Sequence, residues 1–432
     1  MTHDHHGVPF RSLAEHLAEV VAVGAPTPSE VVPTQAALGL VLAADVAARL
    51  PVPPFSNSAM DGFITHRSSL VGSDPWELPV SGDIPAGRPP VDVAAGTAVR
   101  IMTGAPIPVA TEATAETAAD LVVIPVEDTD VPAGAVPLPE RIVVSAVSDR
   151  NHIRHQGENC QIGDVVARAG TLVDAGVIAS LLSTGITEVL VHRRPKVAVI
   201  SAGDELVTDV AAPADLRPGA IPDSNRPMLT NLLHEHGVYD VHAALVPDDT
   251  AAFQAELASL SREYDAIVTA GGVSAGAFDV VKEAFDSPTD GLAAAMWFGP
   301  VQIQPGKPQG LGTVNGTPVI CLPGNPVSSF VCFYLFVLPL VRVLAGVDPQ
   351  QAVQHPRLRL PAHDPIKAPR GRDLFIPCSM NWSAGDAYPV IPGGMGSHFV
   401  ASLVDATALI HLPTGHGAVQ PGDMVSVILL KV

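Results

Sequence analysis

The chain has 432 residues, and its 24 Lys and Arg set against 44 Asp and Glu leave a formal charge of −20. At roughly 150 residues per domain the length calls for about three domains and several cores. The net charge repels nucleic-acid phosphates and anionic membrane surfaces, so neither is expected as a partner, and an anionic small substrate would need local devices: backbone N–H groups, helix N-termini, a few placed cations or a bound metal.

The opening MTHDHHGVPF lacks the basic and apolar regions of a signal peptide, and His3, His5 and His6 read as a solvated end. Residues 11 to 50 carry helical spacing, with Leu13, Leu17, Val20 and Val21 on one face, until Pro51, Pro53 and Pro54 break it. A Pro/Gly-rich stretch, 54–145, with short runs such as TAVRIM and DLVVIPV reads as a small β domain, and 109–119 (VATEATAETAA) as a loop insertion in it. Residues 146–190 return to mixed structure. They include the helical DAGVIASLLSTG, with Gly185 suited to a C-terminal cap, and are expected to pack back on the N-terminal helix. This gives a helical and mixed linker domain from 9–53 plus 146–192.

From 193 to 347 strand-like runs (KVAVISAG, DVHAALVP, DAIVTAGG, PVICLPG) alternate with helical ones, which predicts βαβ units and a mostly parallel, Rossmann-like sheet covered on both faces. The apolar run Val327 to Val341 is interrupted by Ser328, Ser329 and Pro339 and falls short of the ~18 residues of a membrane span, so it reads as a buried helix. AYPVIP, TALIHLP and MVSVILL mark a C-terminal β domain, 352–432. No period of 20 to 50 residues indicates a repeat fold. The four cysteines are scattered without a C-x-x-C pair, as fits a reducing cytoplasm.

In open α/β sheets ligands bind beyond the carboxyl ends of the strands. Four distinctive stretches fall there: Gly203-Asp204-Glu205, Asp248-Asp249, Gly271-Gly272-Val273-Ser274-Ala275-Gly276 with Asp279, and Pro323-Gly324-Asn325-Pro326. Singly each has a plain structural explanation: Gly271-Gly272 as a turn into a helix, Asp248 as an N-cap with Asp249 in the first turn. Together they describe one crevice. Its glycines let backbone N–H groups approach an anion, Asn325 as N-cap with Pro326 at the first helical position turns a positive helix end toward it, and five carboxylates ask for a cation such as Mg²⁺. A metal-bridged, nucleotide-like anion fits. No Gly-Lys-Ser/Thr follows the glycines, so this is no P-loop, and the G-x-G-x-x-G fingerprint is absent too. Lys307, between Pro305-Gly306 and Pro308, is one of the few cations nearby and reads either as an anion contact or as a solvated turn residue.

NSAMDGF (57–63), RIMTGAPIP (100–108), IRHQGEN, SAGDEL, DSN, VPDD, TAGGVSAGAFD (269–279), PGKP, LPGNPVSS and GMGSHFVASL, in this order, closely resemble the molybdopterin molybdenumtransferase family, the MoeA proteins, which share the fold of the gephyrin E domain. The resemblance implies an elongated, four-part homodimer with a molybdopterin-binding α/β domain and an active cleft between subunits. It implies that molybdate replaces the adenylate of adenylylated molybdopterin, releasing AMP and molybdenum cofactor. By matching motif, Asp61 and Thr103 of one subunit face Glu205, Asp248, Asp279, Pro323 and Pro326 of the other, with Ser397 near the cleft, Glu205, Asp248 and Asp279 as metal ligands, and Gly271, Gly272, Ser274, Gly276, Lys307, Gly324 and Asn325 contacting substrate. Asn159 stands where the family usually has Asp, and Gln304 where a basic residue is common. Two alternatives remain: a molybdopterin adenylyltransferase, a related enzyme that normally stands alone as one α/β domain and that is also a candidate partner, and a non-catalytic scaffold.

Overall fold

The computed structural model describes residues 9–108, 120–208, 210–273, 280–286, 292–383, 386–392 and 396–430. A capping box, Ser12 with Glu15, starts the helix Leu13–Ala22. Helical spacing beyond it is not realised, because Pro26, Pro28 and Pro33 cannot sit in a helix interior; the chain becomes the strand Ser29–Pro33, which pairs antiparallel with Glu188–His192. The helix Ala175–Ser183, N-capped by Asp174 and ended by Gly185 at φ +81°, packs Leu181 with Ala37, Leu40, Leu42 and Val191. It does not pack on the N-terminal helix. That helix turns Leu13, Leu17 and Val20 instead toward the larger apolar surface of the α/β core.

The β domain is a five-stranded sheet in the order Leu121–Pro125, Gly62–His66, Ala98–Ile101, Trp76–Ile84, Arg141–Val144. Both faces are covered, one by a cluster containing Ile64, Ile84, Val99, Ile101 and Val123, the other by one containing Phe63, Leu78, Val122, Ile124 and Ile142. Two-sided burial explains why LVVIP reads as a continuous apolar run rather than an alternating one. The expected insertion at 109–119 lies outside the described residues.

The central sheet has six strands in the order Val241–Val246, Val197–Ala202, Ala266–Ala270, Thr317–Leu322, Pro308–Val314, Ala294–Pro300. The first four are parallel, and Pro308–Val314 pairs antiparallel with the strand on either side of it, with a core on each face of the sheet. The helix Pro326–Leu344 runs 19 residues at a mean hydropathy of 2.1, long and apolar enough by itself to cross a membrane, yet 94% buried within the protein as a core helix. Pro339 does not end it: a π turn, Phe333–Val337, absorbs the place where the proline ring would press on the preceding turn.

The C-terminal sheet runs Ile303–Gln304, Asp373–Ser383, Ala408–Leu412, Met424–Leu429, Arg357–Pro361. Its first strand belongs to the α/β stretch, and Phe375, Leu409 and Ile428 share a cluster with the long helix, so the last domain is docked on the central one.

Candidate active site

In the central sheet the first strand in sequence, Val197–Ala202, lies between the second, Val241–Val246, and the third, Ala266–Ala270. The chain therefore leaves the first strand toward one edge of the sheet and the third toward the other, which opens a crevice at the carboxyl ends of Val197–Ala202 and Ala266–Ala270. Gly203 to Glu205 and Gly271-Gly272 are the residues that edge it.

Gly271 has φ +96°, and a Cβ there would meet the Ala202 carbonyl at 3.2 Å, so only glycine lets the two loops close. Its N–H donates to the Leu322 carbonyl at 3.0 Å. Its contribution to an anion cradle is therefore steric, and the amide expected to face an anion is engaged inside the sheet. Gly272 follows at φ +67°. Gly324 comes next to it, a Cβ on Gly324 falling 3.6 Å from the Gly271 Cα. Asn225 Nδ2 donates to the Gly324 carbonyl at 2.7 Å, while Asn225 Oδ1 is buried without a partner. Asp223 beneath it is fixed by Ser201 Oγ, 3.1 Å, and by Arg226 Nε, 2.8 Å. Asn325 N-caps the long helix with Pro326 at its first position, and Ser329 Oγ donates to the Pro323 carbonyl. Asn325 Nδ2 reaches Ser397 Oγ at 3.4 Å, which brings the C-terminal domain to the same place.

The acids are organised by the backbone. Asp204 N–H donates to Asp248 Oδ2 at 3.1 Å, and Asp248 N–H donates to Asp204 Oδ1 at 3.2 Å, so the two loops clasp each other. Asp249, not Asp248, is the N-cap of Thr250–Glu263, accepting from Ala252 N–H at 2.7 Å. Capping thus uses the second acid and leaves Asp248 to the crevice. Glu205 is exposed. Among the described residues none of Asp204, Glu205 and Asp248 forms an ion pair, and no group of three metal-ligating side chains stands close enough to hold an ion. Ser274, Gly276 and Asp279, the rest of the predicted loop, lie outside the described residues. Lys307 Nζ sits 5.3 Å above the Phe10 ring.

The other predicted pair forms a second place. Antiparallel register sets Gly62 opposite Ile101, so the turn before Gly62–His66 meets the turn after Ala98–Ile101. Thr103 N–H donates to Asp61 Oδ1 at 2.6 Å, and this bond with the Thr103 hydroxyl holds the Asp61 carboxyl below its ordinary range. Asp61 also lines a cleft of about 670 Å³ whose lining residues all come from the β domain. No hydrogen bond among the described residues joins Asp61 or Thr103 to the crevice of the α/β domain. Sequence reasoning missed Asp83, which also lines this cleft with Arg100; Arg100 and Asn225 figure in that reasoning only inside the RIMTGAPIP and DSN motifs.

A doubly wound sheet with a glycine- and acid-lined switch point, in a chain that also carries two β domains, defines the class: a multidomain α/β and β protein. The chain matches family models described as "MoeA N-terminal region (domain I and II)" over residues 11–185, "Probable molybdopterin binding domain" over 198–343 and "MoeA C-terminal region (domain IV)" over 359–430. It is 37% identical over 425 residues to molybdopterin molybdenumtransferase 2 of Mycobacterium tuberculosis, covering 97% of this chain and 99% of that one. With molybdopterin molybdenumtransferase of Haemophilus influenzae it shares 33% over 404 residues, 93% and 94% of the two chains. A crystal structure of the molybdopterin biosynthesis MoeA protein from Pyrococcus horikoshii superposes with a TM-score of 0.78 at 25% identity, over 98% of this chain and all of that one. The chain belongs to the molybdopterin molybdenumtransferase family, and its role is in molybdenum cofactor biosynthesis.

Proposed function

We propose that this transferase inserts molybdate into adenylylated molybdopterin, releasing AMP and molybdenum cofactor, at a site completed by two copies of the chain. The reading is carried by the convergence of Glu205, Asp248, Gly271, Gly324 and Asn325 at one switch point in a chain that matches a molybdenumtransferase over 97% of its length. The separateness of Asp61 and Thr103 from that crevice supports the second half of it: a partner copy would bring the β-domain acid to the α/β crevice.

Mg²⁺ is the cation this reading calls for. Glu205 and Asp248 offer hard oxygens on adjacent loops, without an ion-paired cation, and Asp279 would be the third ligand. When bound, the ion would withdraw charge from a pyrophosphate whose P–O bond breaks. The chain's own residues do the positioning. The N–H groups of Gly272 and Gly324 and the N-terminus of Pro326–Leu344 would hold phosphate oxygens. The Asp204–Asp248 clasp ties the two loops together and would help to preorganise the site as charge develops. Ser397 and Asn325 would place molybdate beside the substrate, with Lys307 adding positive charge to a protein that carries little. Gln304, neutral where the family commonly has a base, removes one more cation. The acceptor side chain Asp61, kept ionised by Thr103, would face this assembly from the partner copy. A cytoplasmic setting, with a separate adenylyltransferase supplying the substrate, belongs to the same proposal; all four cysteines are free thiols, three of them buried.

The test is AMP release from adenylylated molybdopterin with Mg²⁺, with and without molybdate. Molybdate-dependent release that is lost in Glu205→Ala is expected. Adenylate formation from ATP, or no turnover of either kind, would replace the reading with an adenylyltransferase or a scaffold.

A further inference from the structure

We propose that the cleft beside Asp61 is the subsite for the pterin ring, in which Asp83 and Arg100 read the ring's 2-amino-4-oxo edge; this rests on the molybdopterin reading above. The cleft has a volume of about 670 Å³, and Met102, Val126, Val131 and Val136 give it apolar walls suited to the faces of a flat heterobicycle. Asp83 and Arg100 are direct partners in the register of two neighbouring parallel strands. Arg100 Nε donates to Asp83 Oδ1 at 3.1 Å, one terminal nitrogen to Asp83 Oδ2 at 2.7 Å, and the other to the Val136 carbonyl at 2.8 Å. Three of the five guanidinium N–H bonds are thereby used and the plane is locked.

What remains is directional. Each Asp83 oxygen keeps a lone pair and the guanidinium keeps two N–H donors, so an acceptor and a donor stand side by side, only 35% and 19% exposed. A pterin presents two adjacent donors, the 2-amino group and N3–H, next to the O4 acceptor, which complements this pair. Adenine offers a single amino donor flanked by ring nitrogens that carry lone pairs, and one of these would face the Asp83 carboxylate. Unpaired polar groups in a half-buried cleft are costly, so the pair selects the pterin. The strand that carries Arg100 also lies beside Phe63 and ends two residues before Thr103, which puts the ring next to Asp61, where the reacting groups of the same substrate would meet.

Binding of pterin itself, followed by its fluorescence, tests this on the full-length protein. Ala135, exposed on the cleft wall, is changed to Trp to fill the space, and Asp83→Asn removes a carboxylate oxygen. Each is expected to weaken pterin binding about tenfold or more, the scale of a hydrogen bond to a charged group, while AMP does not compete. Should one variant lose its native circular dichroism, the other carries the test. Absence of pterin binding to the wild type, unchanged affinity in a folded Ala135→Trp variant, or displacement of pterin by AMP overturns the proposal. The KM for adenylylated molybdopterin separates the two readings. Wild-type AMP release with an unaltered KM in Ala135→Trp removes the subsite and leaves the function standing. Cleft-dependent pterin binding without AMP release does the reverse.

Discussion

Lowering the pH should loosen the attachment of the N-terminal helix, and His16 sets the size of the effect. The ring is fully buried, with neither nitrogen hydrogen-bonded, packed edge-on to Phe336 at 4.7 Å and beside Trp297 at 5.4 Å. Burial, and secondarily the charge of Arg11, pushes its pKa from 6.5 down to about 3. In the folded protein His16 thus stays neutral, while the unfolded chain takes up a proton once the pH falls below 6.5. Stability is therefore full above pH 6.5 and is lost progressively as the pH drops toward 3. At pH 5 the gap is about 1.5 pH units, or about 2 kcal/mol. His16→Leu removes two unpaired nitrogens and the linkage together, so its stability at pH 7.5 should change little while its loss at pH 5 shrinks by that amount. Urea unfolding followed by tryptophan fluorescence at the two pH values, in both proteins, measures this. Equal pH dependence in wild type and variant would refute the reasoning. His355, pushed down to about 4 by burial first and by Arg342 and Arg357 next, adds a loss of similar sign in both proteins and cancels in the comparison.

Other substitutions probe the site and its frame. Gly271→Ala forces a side chain into φ +96° and against the Ala202 carbonyl, which should cost about 1 to 3 kcal/mol in urea unfolding and lower AMP release as the crevice opens. A Cβ on Gly62 would overlap the Ile124 carbonyl, so Gly62→Ala should push two strands apart and destabilise the β domain by about 1 to 3 kcal/mol, seen as faster proteolysis within 54–145. Asp61→Asn keeps the shape of the turn and removes the charge. Its unfolding should be close to that of the wild type, whereas AMP release should fall about a hundredfold, the scale seen when one preorganised charged or polar contact is lost.

Much of this was legible because glycine, proline and alternation leave direct marks. The four parallel strands of the α/β domain and the Asn325-Pro326 helix start follow from apolar runs ended by turn residues. Single strands in the β domains were harder. Asp373–Ser383 carries a proline, Pro377, and Trp76–Ile84 carries Pro79 and Gly82, so both look like loops until their neighbours are known. Arg357–Pro361 does show alternation, with Leu358 and Leu360 less exposed than Arg357 and Arg359, a signal too short to stand alone. The hydrogen-bonding fate of individual groups was not legible at all. That Gly271 N–H turns into the sheet, that Asp249 rather than Asp248 caps its helix, and that Asp83 meets Arg100 across 17 residues depend on register, which local sequence does not carry.

The most direct test of a site built from two copies is complementation. Asp61→Asn and Glu205→Ala chains are expected to be nearly inactive alone. Co-expressed and purified together, random pairing makes half of the dimers mixed, each with one intact site, so molybdate-dependent AMP release should recover to about a quarter of the wild-type rate. A mixture no more active than either variant alone would contradict the shared site.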